Sequence, residues 1–302
     1  MGKSAQDYRK YLDPAVVSKI TSLELIAKLV VEGFMVGLHK SPFHGFSVEF
    51  SEHRSYMQGD PIRNIDWKVY AKTEKYFIKQ YEEETNLISH VAVDVSKSMD
   101  FKNSGEITKL EYAYILAASL IYLMISQQDS VGLALYSDEI VNYIRPRSNR
   151  IQLKTLLTAI NNVDAADVTR TAHCLNSVAE KIKRRGLVII ISDFFDDIDS
   201  VISAIKHFHF KKNEVIVFQI LDPIELNFAF GNDAVFIDKE TREEITTQPF
   251  QIQKAYQLEL QKFISKIRNE CRSYGIDYNL IDTSVPFDKA LFSYFKKRSR
   301  LN

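Results

Sequence analysis

From residue 87 onwards the chain alternates two rhythms. Short apolar runs at 87–94, 130–136 ("SVGLALY"), 186–192 ("GLVIIIS"), 214–221 and 276–282 read as strands buried on both faces. Between them, 108–126, 149–161, 172–185, 199–210 and 249–274 carry apolar residues at helical spacing, and a last helix is expected over 286–299. A second extended piece at 139–145 and a short extended pair near 225–238 complete the series. Strands alternating with helices predict an α/β fold, a mostly parallel sheet with helices on both faces. Upstream the rhythm differs. Residues 15–38 place Ile20, Leu23, Ile26, Ala27 and Val30 on one helical face, with Gly33 and Gly37 as stop signals, and 46–50 ("FSVEF") alternate like a short strand. Asp60 and Pro61 then open a helix with Ile62, Ile65 and Val69 on one side, and 75–84 reads as a strand. The division expected is a small N-terminal α+β accessory segment, 1–85, ahead of an α/β domain over 86–302.

The strand at 87–94 ends in "VDVSKSMDF", which sets Asp94, Ser96 and Ser98 at every second position. Ligands of parallel sheets sit outside the carboxyl ends of the strands, and spacing by two in extended chain points side chains the same way. One carboxylate with two hydroxyls is a hard, all-oxygen set suited to Mg²⁺ or Mn²⁺ and ill suited to zinc. The plainer reading has Ser96 and Ser98 capping the next helix while Asp94 closes an Asx-turn. Two further residues favour the metal: Asp193 follows the strand at 186–192, and Thr169 precedes a helix starting near Thr171. Thr171 offers a competing hydroxyl for the second loop.

Composition narrows the partners. Lys plus Arg equals Asp plus Glu, 39 of each, so no net field draws the chain to nucleic acid or an anionic membrane. Cys174 and Cys271 are too few for a disulfide framework and lack zinc spacing, which fits a reducing, cytoplasmic setting. The apolar run at 112–125 is shorter than the roughly 20 residues a membrane span needs. No secretory h-region opens the sequence, and "MGKSAQ" has Gln where a myristoylation signal wants Ser or Thr.

The triplet, Thr169 and Asp193 together resemble the three-loop metal-ion-dependent adhesion site (MIDAS) of von Willebrand factor A domains. The run "EFSEHRSYMQGDPIRNIDWKVYAKTEKYFIKQYEEE" and the closing "TSVPFDKALFSYFKKRSR" are similar to a bacterial family of unknown function, numbered fifty-eight among such domains. The likeness implies an open, Rossmann-like sheet, with Asp94, Ser96, Ser98, Thr169 and Asp193 as the metal set. It also implies partnership with a MoxR-type AAA+ ATPase or its client protein. Two departures stand out: "ADV" replaces a glycine-rich approach to Thr169, and "SDFFDD" lacks the glycine often found after the third-loop aspartate.

"HRSYMQGDPIRNIDW" gathers Arg54, Asp60, Arg63, Asp66 and the only tryptophan, Trp67. One reading is a catalytic or peptide-binding cluster; the structural role is the one expected, in which Asp60 caps, Arg54 or Arg63 pairs with Asp66, and Trp67 anchors the N-terminal module against the sheet. The functional expectation is a non-enzymatic interaction module whose cation is completed by a partner's acidic side chain. One rival is a Mg²⁺-dependent phosphoester hydrolase, for which Lys97 is the one supporting residue; the chain has no second acid two residues after Asp94 and no glycine-rich phosphate loop. The other is a scaffold with a vestigial site.

Overall fold

The computed structural model describes residues 12–39, 53–56, 67–79, 87–103, 105–163, 165, 170–230, 234–237, 244–247 and 249–298. In chain order the elements are α1 (Pro14–Val17), α2 (Leu23–His39), β1 (His53–Ser55), α3 (Trp67–Thr73), β2 (Phe77–Lys79), β3 (Ile88–Asp94), α4 (Lys109–Ser126), β4 (Ser130–Tyr136) and β5 (Ile140–Arg147). There follow α5 (Arg150–Asn161), α6 (Thr171–Lys181), β6 (Leu187–Ser192), α7 (Ile198–Phe210), β7 (Glu214–Leu221), α8 (Pro223–Asn227), β8 (Ala234–Ile237), β9 (Glu244–Thr247), α9 (Pro249–Ser273), β10 (Asp277–Asp282) and α10 (Asp288–Arg298).

Six strands form one sheet in the order β10-β7-β6-β3-β4-β5. Every neighbouring pair is parallel except β4 with β5, so the fold is mixed α/β with a mostly parallel sheet, as the alternating rhythm predicts. The central strands are apolar because both faces are covered. Helices α6, α7 and α9 pack over one face, where Leu175, Val178, Val201, Ile205 and Ile267 meet Val188, Ile190 and Val217. Helices α4, α5 and α10 contact strands from the other side. α4 is long and apolar enough to cross a membrane by composition alone, yet 78% of it is buried here as a core helix. Gly186 sets the β3–β6 approach: a Cβ there would lie 2.0 Å from the Ile88 carbonyl oxygen, so no larger residue fits.

Chain order reverses beside β3. From β3 the chain goes to β4 and β5, then places β6, β7 and β10 on the opposite side. The crevice outside the carboxyl ends of β3 and β6 is therefore the place where such a sheet holds a ligand.

Two compact units are present, one formed by the residues up to Gly37 with Leu87 onwards, the other by Leu38–Asn86. Helix α2, which the sequence grouped with the accessory segment, thus belongs to the larger unit as far as Gly37. Its apolar stripe explains why: Ala27 packs with Ala118 of α4 and Leu157 of α5, and Phe34 stacks near Phe295 of α10 at 5.1 Å. The single helix expected over 15–38 is broken into α1, capped by Asp13, and α2. The extended pair expected near 225–238 is also corrected. Its first part is helical, because Asp222 and Glu225 make a capping box with Pro223 at the first helical position and form α8; its second part is extended as expected, as β8, whose partner is β9 at Glu244–Thr247.

In the smaller unit β1 pairs with β2, placing Arg54 opposite Ile78. Tyr70 and Tyr76 stack at 4.5 Å, and Trp67 meets Tyr70 edge-on at 6.0 Å. Trp67, the first residue of α3, is 54% exposed. Asp60, Arg63, Asp66 and the strand expected at 46–50 lie outside the described residues.

Candidate metal centre

β3 carries Asp94 into the crevice as its last residue, fully buried. Asp94 Oδ1 accepts a hydrogen bond from the Ser96 amide at 2.9 Å, which is the Asx-turn of the plainer reading. Oδ2 accepts from Ser192 Oγ at 2.7 Å. Neither serine of the triplet caps a helix, however. Thr108 and Glu111 form a reciprocal capping box on α4, which leaves the hydroxyls of Ser96 and Ser98 facing one another at 3.1 Å. A turn over residues 97–99, in which the Met99 amide donates to the Ser96 carbonyl at 3.1 Å, rather than extended chain, brings the two oxygens together, with Ser96 buried and Ser98 half-exposed.

The second loop is described only in part. Thr169 lies outside the described residues, whereas Thr171 opens α6, fully buried, its Oγ1 without a hydrogen-bond partner. The Arg170 amide donates to the Ser137 carbonyl at 3.0 Å, which sets the start of α6 beside the carboxyl end of β4, the strand next to Asp94.

Asp193 follows β6 and is 1% exposed. Its Oδ1 accepts from the Phe195 amide at 3.2 Å and its Oδ2 from Lys109 Nζ at 2.8 Å. Its carbonyl accepts from Gln219 Nε2 at 2.8 Å, and Gln219 is held in turn by the Tyr278 hydroxyl. Phe194, standing where the resemblance leads one to expect glycine, has φ +60° and is fully buried. The loop keeps the left-handed turn that glycine adopts freely, and a core-filling ring offsets a strain of order 1–2 kcal/mol.

The two carboxylates feel different fields. Burial pushes the Asp94 carboxyl up to about 7, the charge of Asp193 adds to the rise, and the hydrogen bonds from Ser96 and Ser192 oppose it. Burial and the charge of Asp94 likewise push the neighbouring Tyr136 phenol well above its ordinary value. Asp94 thus has neutral partners only, while Asp193 has an ammonium.

No three His, Cys, Asp or Glu side chains gather as a metal-ligating group among the described residues. The donors here are two carboxylates and the hydroxyls of Ser96, Ser98 and Thr171. A buried hydroxyl without a partner and a buried carboxylate without a counter-charge fit a hard divalent cation. Sequence reasoning missed Ser192, Lys109 and Glu225. The first was visible as a polar residue ending the apolar run "LVIIIS", and Glu225 as the acid three residues after the capping Asp222 in "DPIE".

Relatives at 27% identity over 234 residues, uncharacterized proteins of Mycobacterium bovis and Mycobacterium tuberculosis, match 76% of this chain and 72% of their own length. Among solved structures, the conserved hypothetical protein BatB of Bacteroides thetaiotaomicron superposes with TM-score 0.47 and 16% identity, covering 71% of this chain and 99% of that one. An aerotolerance-related membrane protein of Bacteroides fragilis gives 0.45 and 18%, covering 70% and 99%. The model of the family described as "Protein of unknown function DUF58" matches residues 52–262, more than two-thirds of the chain, and the protein belongs to that family.

Proposed function

We propose that this protein is a non-enzymatic, metal-dependent protein-interaction module of von Willebrand factor A type, acting with a MoxR-type AAA+ ATPase on a client protein. The observation that carries the reading is the buried Asp94 carboxylate at the switch point of the sheet, held by neutral groups alone, beside the converging hydroxyls of Ser96 and Ser98. Mg²⁺ or Mn²⁺ bound there would supply an open coordination position for a partner's Asp or Glu. Asp94, Ser96, Ser98 and Asp193 would hold the cation, with a second-loop threonine, Thr169 or Thr171. Ser192 fixes the Asp94 carboxylate in place, and the Phe195 amide and Gln219 fix Asp193. Lys97, on which the phosphoester reading depended, pairs with Asp100 at 3.9 Å and is about a third exposed, so no observation favours that rival.

Affinity capture of the purified MoxR-type ATPase from the same cell tests the reading. Because the ATPase needs Mg²⁺ itself, chelation is not decisive and the variant Ser96→Ala is. Wild type should retain the ATPase or an ATPase–client complex in Mg²⁺, and Ser96→Ala should lose it while staying folded. Equal retention by both contradicts the reading.

A further inference from the structure

Helix α4 begins with a cation where a helix dipole disfavours one. Lys109 is its first residue, and the N-terminal end of a helix carries partial positive charge. The side chain is also fully buried, against the strong tendency of lysine to stay in water. Two carboxylates account for its position: Nζ lies 2.8 Å from Asp193 Oδ2 and 2.7 Å from Glu225 Oε1. The rings of Phe195 and Phe101, 5.0 and 5.7 Å from Nζ, close the remaining side.

The charge count is informative. Asp193, Glu225 and Lys109 sum to one negative charge, and ionised Asp94 brings the cluster to two. A divalent cation neutralises that sum, and Lys109 is the internal charge nearest to the carboxylate that cation would share. Glu225 is well placed as the alternative seat. Its Oε2 accepts from the Asp222 amide, and Asp222 Oδ2 accepts from the amides of Asn103 and Gly105 in the loop that follows Ser96 and Ser98.

We propose that Lys109 is a built-in counter-cation that competes with the divalent metal for Asp193, and that Glu225 sets the outcome by drawing the ammonium away. Without metal the ammonium is shared between Asp193 and Glu225; with metal it moves towards Glu225, and the loop tied to Asp222 senses the change. The inference rests on the metal reading above and names the regulation of that same site.

Titration calorimetry of the whole chain with MnCl₂ and MgCl₂ tests it through two variants expected to move in opposite directions. Lys109→Met removes the competitor, so metal affinity should rise about tenfold or more, the size of an ordinary coupling between sites. Glu225→Gln keeps the capping box, since glutamine serves there equally, but leaves the ammonium to Asp193 alone, so affinity should fall by a similar factor. A merely structural ion pair would weaken binding in both. Should Lys109→Met not fold, the double variant Lys109→Met/Glu225→Gln decides: with the competitor gone it should bind metal more tightly than Glu225→Gln alone, and binding no tighter than Glu225→Gln overturns the inference. Binding by wild type with Glu225→Gln unchanged or tighter overturns the inference alone. Absence of binding by wild type overturns the metal reading and this inference with it.

Discussion

The ends of β3 and β6 stand side by side, and each delivers one buried aspartate to the same crevice. At the end of β6 the protein supplies the balancing charge itself, through Lys109 at 2.8 Å. At the end of β3 it supplies only a hydroxyl and an amide, and the Asp94 carboxyl is pushed up to about 7 by burial and by its neighbour's charge. Burying a carboxylate costs several kcal/mol unless it is paired. The β6 end meets that cost internally, and the β3 end has no charge of the protein hydrogen-bonded to it; under the proposed function a cation from solution would supply it.

The largest effect should come from breaking the self-sufficient side. Lys109→Met strands Asp193 and Glu225 without their ammonium, and about 3–5 kcal/mol of stability should be lost in denaturant melts near neutral pH. If the loss is under about 1 kcal/mol, the pair is not a counter-charge. In Asp94→Asn the opposite sign is expected. An acid whose folded pKa is raised stabilises fully below its unfolded value of about 4, and that stability is lost as pH climbs through about 7. The metal-free variant should therefore exceed wild type by about 2–3 kcal/mol at a pH near 8 and match it near pH 4, after discounting for the mutual coupling of the two aspartates. The variant-minus-wild-type difference is the quantity to read, because buried His90, pushed down to about 4, acts the other way in both proteins: its stabilising effect is lost as pH falls from 6.5 towards 4. The smallest effect belongs to Ser192→Ala. Removing the Ser192 hydroxyl takes away the hydrogen bond to Asp94 Oδ2 and the acceptor of the Phe194 amide, which should cost about 1–2 kcal/mol and raise the Asp94 titration further.

How much of this could be read from the sequence follows from what each feature depends on. The strands at 130–136 and 214–221 match the structure residue for residue, because burial on both faces writes an unbroken apolar run. The two hydroxyls of the D-x-S-x-S run do meet, but through the turn at 97–99 in which the Met99 amide donates to the Ser96 carbonyl, and not through the alternation of extended chain that the spacing suggested. Lys109 was not legible: after a capping threonine it looks like any surface residue, and only the meeting of β6, α4 and α8 makes it a buried counter-charge. Phe194 looked like a departure from the glycine that the resemblance led one to expect, and its backbone is left-handed, the conformation glycine adopts freely, offset by core packing.

The most direct test of the central claim is the melting temperature of the wild-type chain with and without saturating MgCl₂, measured across pH from about 5 to about 8. The account predicts a clear rise near pH 8, equivalent to about 2.7 kcal/mol at a hundredfold excess over Kd, shrinking towards nothing as Asp94 takes up its proton below about 7. No rise at pH 8, or a rise of the same size at pH 5, would contradict it.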